Sequence, residues 1–191
     1  DHYGGLDAVD ALVRCASIGA GDRVLDVCSG LGGPARYLAH RHGCSVTGID
    51  INRSRALASR RLTRSVGLQN KVSFVCGNAT RMPFLNESFT RIVSQEAFLH
   101  VGNKVALFSN CHRVLITGGC FVFTDWVASP RLSDHERALL EKGMVAAAIH
   151  QESEYLDYLR AAEFSDVEVE NLSVWWGKIL RERLEMYLEK S

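Results

Sequence analysis

Apolar positions change their period several times along this chain, and each change marks an element. From Leu6 the apolar residues Leu6, Val9, Leu12 and Val13 recur at helical spacing with Ala8 and Ala11 between them, and the pattern stops at Gly19 and Gly21. The next run, RVLDVCSG over 23–30, is short, β-branched and closed by glycine, which reads as a strand. GPARYLAHRHG, 33–43, opens with proline, which suits a helix's first turn, and ends on glycine. The alternation continues with a strand at 44–50 (CSVTGID), a helix at 52–66, and strands at 71–79 (KVSFVCGNA) and 91–97 (RIVSQEA). A helix at 104–115 and a strand at 118–127 (GGCFVFTDWV) follow. Beyond them, 133–148 and 153–162 read as helices, VEVENLS over 167–173 as a strand, and 177–189 as an amphipathic helix. Strands and helices alternating at this spacing predict an α/β fold with a mostly parallel sheet covered on both faces.

Composition narrows the function. A chain of 191 residues is one domain's worth, able to bury roughly 70% of its unfolded surface. Lys plus Arg and Asp plus Glu number 22 each, so no global field draws the chain to nucleic acid or anionic lipid. No apolar run approaches the ~18 residues of a membrane span, and the opening DHYGGLDA lacks the features of a signal peptide. The expectation is a cytoplasmic protein. Six cysteines are scattered without a C-x-x-C pair, which predicts reduced thiols acting as small hydrophobes and no metal site.

The turn Asp26-Val27-Cys28-Ser29-Gly30-Leu31-Gly32-Gly33 joins the first sheet strand to a helix, the usual ligand-binding position of an open parallel sheet. Taken alone it also satisfies the G-x-G-x-x-A form of a dinucleotide fingerprint, with Asp50 at about the right distance to hold a ribose. Asp26 argues against that reading. A carboxylate near the end of a buried strand is costly without donors, and a cofactor with an amino-acid portion supplies them. Two plainer roles stand beside these: Asp26 tying down the loop amides, and Asp50 capping the following helix.

Read in order, VLDVCSGLGGPARYLA, VTGIDIN, VCGNATRMPF, SQEAFLHVGNK and HRVLITGGCFVFTDW resemble a class I S-adenosylmethionine-dependent methyltransferase over about residues 2–182. SQEAFLH and the opening HYGGLDA are most similar to the sarcosine and dimethylglycine N-methyltransferases of betaine synthesis. The resemblance implies a Rossmann-like three-layer sandwich that binds S-adenosyl-L-methionine. Gly30 and Gly32 would line its methionine portion, with Asp26 near the amino group. Asp50 would accept from the ribose hydroxyls, Ile51 would pack on the adenine face, and Asn78 with Ala79 would meet the adenine edge, the Asn78 carbonyl accepting from the exocyclic amine. Gln95 would border the methyl donor and Tyr3 would close over the methionine end. Cys28 replaces the family's usual first glycine, which is tolerable if that position has ordinary strand angles. HVGNK and LITGG depart from the family where relatives often have a proline and Asp, and LKPGG; both touch loops more than chemistry.

Methyl transfer needs orientation and exclusion of water more than an obligatory base. An amine acceptor must nevertheless lose a proton, and His100 beyond the fourth strand is the imidazole placed to take it. His2 would orient the entrance segment, while His40, His42, His112, His135 and His150 read as solvated. Trp126, with Trp175 and Trp176, offers faces for a methylated ammonium, and packing is their plainer role. Residues 128–152, with Met144 and Ile149, lie where such folds place a lid, so one domain over 1–191 with a helical cap from about 128–163 is expected. The acceptor is expected to be a small amine, with O- or C-methylation the alternative. Arg53, Arg55, Arg60, Arg61 and Arg64 raise RNA as a different class, and a cofactor-binding domain without turnover is a third. Nothing after VEVENLS looks like the antiparallel strand that relatives insert beside the fifth, so a chain shortened at both ends, with an exposed edge inviting homodimer formation, is a further expectation.

Overall fold

The computed structural model describes residues 4–189, so Tyr3 and His2 lie outside the described residues. In chain order the elements are α1 (Gly5–Ala16), β1 (Arg23–Val27), α2 (Gly33–His42), β2 (Ser45–Asp50), α3 (Arg53–Ser65), β3 (Val72–Cys76) and β4 (Phe89–Gln95). After a single 3-10 turn, Phe98–His100, come α4 (Lys104–Val114), β5 (Leu115–Thr124), α5 (Asp134–Met144), α6 (Glu152–Ala161) and α7 (Ser173–Leu188). The sheet order is β3-β2-β1-β4-β5 and every pairing is parallel.

Side-chain alternation assigns the two faces. Val24, Val93 and Val122 pack with α1 and α2, through Val9, Leu12, Ala35 and Leu38. Leu25, Val27, Ile92, Phe121 and Phe123 pack with α4 and α6, through Leu107, Phe108 and Tyr155. This is the Rossmann-like layering, with helices on both sides of a parallel sheet. Phe98 anchors the second face, its ring 5.1 Å from Phe123 and 5.8 Å from Phe108. Burying each such side chain is worth about 1.5–3 kcal/mol.

Two expectations about elements fail. VEVENLS forms no strand: 167–172 pairs with no strand among the described residues, and Val169 is 54% exposed. Alternation predicts a strand only where a sheet edge receives its hydrogen bonds, and left-handed residues at Glu163 and Asp166 redirect the chain just before this stretch. The fifth strand also starts earlier than glycine content suggests, directly after α4 at Leu115. Its register shifts between Phe89 and Arg91, absorbing Ile116–Gly119 as an irregularity. Among the described residues, no helix is long and apolar enough to cross a membrane.

Candidate functional site

Strand order reverses at β1, with β2 and β3 on one side and β4 and β5 on the other, so the crevice at the strands' carboxyl ends opens beside the β1–α2 turn. That turn is tightly held. Ser29 N–H donates to the Ile49 carbonyl (3.0 Å) and Gly32 N–H to the Ser29 carbonyl (2.8 Å). Gly30 and Gly32 have φ of +55° and +73°, a region closed to most side chains. A Cβ on Gly30 would meet nothing within 4 Å, so this backbone faces open space, whereas one on Gly32 would strike the Phe74 ring. Phe74 presses equally on Gly48, whose Cβ would lie 2.5 Å from the ring and 2.6 Å from the Ser29 hydroxyl. Cys28 does not have strand angles. Its φ is +61°, so a cysteine occupies a glycine-like conformation, and burial pushes its thiol up to about 12.

The two acidic residues divide their work differently from the plainer roles. Asp50, 7% exposed, accepts from Gly30 N–H through Oδ2 and from Asn52 N–H through Oδ1, both at 2.8 Å. The cap of α3 is Asn52, which accepts from Arg55 N–H (3.1 Å), so Asp50 is not the helix cap. The loop amide that a carboxylate holds is thus held by Asp50. Asp26 is 5% exposed and its Oδ2 has no partner. Burial, and then the neighbouring Asp50 carboxylate, push its carboxyl up to about 7. Among the described residues no basic side chain offsets the raised Asp26 carboxyl.

Further along the crevice, Ile51 is 72% exposed beside Asp50 and Ala79 is buried. The Asn78 carbonyl oxygen departs from expectation. It accepts from both the N–H and the hydroxyl of Thr80 (2.9 Å each), so the amide NH2 is the group left for a ligand. At the end of β4, Gln95 is 5% exposed and neither its Nε2 nor its Oε1 has a partner. His100 is exposed, and its Nδ1 lies 3.0 Å from the Val145 carbonyl just after α5. A neutral His100 donating Nδ1–H there keeps its lone pair on Nε2. The three indoles assemble, with Trp126 6.0 Å from Trp176 and Trp176 5.3 Å from Trp175.

Other side chains fall differently from their expectations. His150 is not solvated: its Nδ1 lies 2.8 Å from Glu154 and its ring stands edge-on to Tyr158 at 5.5 Å. His42 is half-buried and stands edge-on to Tyr37, whereas His112 is exposed, as expected, with an edge against Phe164. Arg60 is exposed but donates to the Phe74 carbonyl through Nε and Nη2, which ties its guanidinium to the sheet edge. Three functional-looking groups carried no sequence signal. Tyr155 donates a very short hydrogen bond to Asp125, whose carboxyl burial pushes up to about 6. Lys104, 2% exposed, donates to the Val101 carbonyl (2.7 Å) with its ammonium 5.9 Å from the centre of the Tyr155 ring. Thr124 ends β5 with its hydroxyl shielded and unpartnered. Lys104 opens α4 and Thr124 closes β5, where periodicity gives no warning, and Tyr155 lies one turn into α6.

Comparison with known proteins bears on this geometry. Residues 25–123 match a family described as a methyltransferase domain. The sarcosine/dimethylglycine N-methyltransferase of Aphanothece halophytica is 37% identical over 135 residues, which cover 70% of this chain and 47% of that protein. The sterol 24-C-methyltransferase of Eremothecium gossypii is 36% identical over 116 residues, covering 61% and 31%. A structure of Haemonchus contortus phosphoethanolamine N-methyltransferase 2, in complex with phosphomonomethylethanolamine and S-adenosylhomocysteine, superposes with a TM-score of 0.88 at 25% identity over 99% of this chain and 44% of that one. The chain spans about half or less of the length of these relatives.

Proposed function

The chain belongs to the methyltransferase-domain family over residues 25–123, and we propose that it is an S-adenosyl-L-methionine-dependent enzyme that methylates a small molecule at an amine nitrogen. The observation that carries this reading is the buried Asp26 and Asp50 pair, with no basic side chain offsetting Asp26 among the described residues, flanking the open face of Gly30. The residues fit a ligand that is cationic at one end and bears a diol and a flat base at the other. Asp26 pairs with the ammonium of the methionine portion, which Gly30 and Gly32 line. Asp50 has a lone pair left on each oxygen for the ribose hydroxyls. Ile51 covers one adenine face, and Asn78 with Ala79 meets the adenine edge, Asn78 now donating rather than accepting.

When bound, S-adenosyl-L-methionine supplies a methyl group on a sulfonium sulfur, an activated donor that needs no protein nucleophile. The protein's share is orientation, exclusion of water and removal of one proton. Gln95 borders the methyl donor, Trp126 forms a wall of the acceptor site, and His100 Nε2 accepts the proton that the acceptor nitrogen must lose. Residues 128–151 act as the lid, tied down where Ala147 N–H donates to the Leu99 carbonyl (2.8 Å) and His100 meets Val145, while α6 beyond them belongs to the layer packed on the sheet. The similarity to a sterol 24-C-methyltransferase favours carbon as the second reading.

Calorimetry with S-adenosylhomocysteine tests the cofactor half. Saturable binding is expected, weakened at least tenfold by Asp50→Ala, and a folded protein giving no heat overturns the reading. A mass-spectrometric screen of amines, sterols and phenols for a gain of one methyl then separates nitrogen from carbon and oxygen.

A further inference from the structure

A net charge of zero conceals two opposed surfaces. Residues 52–71 carry six basic residues and no acidic one, while 151–172 carry seven acidic residues and one basic, which leaves 15 of each sign elsewhere. The first stretch is α3 and the turn after it, seated on β2 and β3 at one edge of the sheet. The second is α6 and the run after it, beside β5 at the other edge, where the Phe164 ring lies 5.4 Å from Phe121. Four strand spacings of about 4.8 Å separate β3 from β5, so the two surfaces lie roughly 20 Å apart, more than twice the Debye length of about 8 Å at physiological salt. They do not neutralise one another within one molecule. Among the described residues, Arg53, Arg55, Arg60, Arg61 and Arg64 pair with no carboxylate, and Glu152, Glu163, Asp166, Glu168 and Glu170 pair with no basic side chain. Arg160, the one base of the acidic surface, is taken by Asp157 (3.2 Å).

Both surfaces also expose apolar side chains. An open groove of about 510 Å³ runs between α6 and residues 164–169, walled by Leu156, Phe164, Val167 and Val169 beside Glu152 and Asp166. Among the arginines of the basic surface, Leu57, Leu62 and Val66 are exposed. We propose that the groove is the docking site for α3 of a second copy of this chain, its arginines meeting the carboxylates and its leucines the apolar walls. The two surfaces occupy opposite ends of one sheet and face away from each other, so a two-fold pair cannot engage both. The contact is heterologous and repeats head to tail. Apolar burial holds it, while the charges steer encounter and fix its polarity. RNA would occupy the basic helix alone and would be repelled by the acidic end, whereas a second copy accounts for both surfaces.

Sedimentation velocity at rising protein concentration tests the contact. The weight-average mass is expected to climb past that of a dimer at about 20 mM salt and to fall at about 0.5 M, where the Debye length is only a few ångströms. Two charge reversals separate the surfaces: Arg61→Glu with Arg64→Glu, in the half of α3 away from Asp50, and Glu168→Lys with Glu170→Lys. Each variant alone is expected to associate at least about tenfold more weakly than wild type. An equimolar mixture of the two is expected to recover association, because each supplies the surface that the other lacks and the two reversed surfaces also match. Recovery demands that both variants fold. Should a reversal unfold the chain, Arg61→Gln with Arg64→Gln and Glu168→Gln with Glu170→Gln read the same contact, each expected to weaken association. The proposal is overturned by a wild type that stays monomeric, by a species that stops at a closed dimer, by association that survives both sets of substitutions, by folded reversal variants that do not complement, or by association that appears only with added RNA.

Discussion

Burial and the neighbouring Asp50 hold the Asp26 carboxyl at about 7, so it titrates near neutrality. Its pKa is raised in the folded chain, so its contribution to stability is present below the ordinary carboxylate range and lost as pH rises through about 7. A cationic ligand reverses that preference, because only the ionised carboxylate pairs with an ammonium. S-adenosylhomocysteine affinity is therefore expected to fall by about fivefold between pH 7 and pH 6, and to be weak and flat with pH in Asp26→Asn. Titration calorimetry at several pH values measures both, and an unchanged slope in Asp26→Asn removes the residue from the contact. Cys28 poses a different problem. A left-handed φ costs a non-glycine residue about 1–3 kcal/mol, most for β-branched side chains. Cys28→Val is expected to lower the thermal midpoint by several degrees, although valine is the more apolar residue and the site borders the core. A stabilised Cys28→Val would show that the turn relaxes.

Elements that position the site are held at their ends rather than along their length. The Phe98–His100 turn is pinned by buried Phe98 and Leu99, while α5 buries none of its residues. α5 depends instead on the Ser133–Glu136 capping box, on Arg137 donating to the Ile149 carbonyl (2.6 Å), and on the His100–Val145 contact. A helix without a buried face lies at the low-stability end of a structure, as a lid must. The contact with Val145 makes His100 a tether, and the proposed function adds a separable job as base. Asparagine keeps a donor near the place of Nδ1 but has no basic nitrogen, so His100→Asn is expected to retain the tether and lose the base. Both His100→Ala and His100→Asn are expected to lower kcat by about 10²-fold or more while the S-adenosylhomocysteine Kd stays within about twofold. Full turnover in His100→Asn eliminates the base role and leaves only the tether.

Across the whole molecule, legibility follows periodicity. The strands of the sheet and the helices between them are written in apolar spacing, and the glycine turn with Asp26 and Asp50 is written in residue type. VEVENLS shows the limit of that reading, since alternation reports a wish for an edge and not its presence. Cys28 shows another, because φ is not encoded in one residue's identity when the surrounding bonds determine it. Gln95 was visible as a residue near the site, yet its unpartnered state, and its place beside Thr124, exist only once β4 and β5 are in register. Tyr155, Asp125 and Lys104 meet from three elements, and no local pattern announces such a meeting. The Phe74 ring, wedged against Gly32 and Gly48, bears on the history open to this chain. Position 48 cannot gain a side chain while position 74 is aromatic, since the added carbon would enter both the ring and the Ser29 hydroxyl. Enlarging position 48 therefore calls for a smaller residue at position 74 and a displaced Ser29 hydroxyl together, and either change alone leaves a clash beside the turn that carries Gly30 and Gly32.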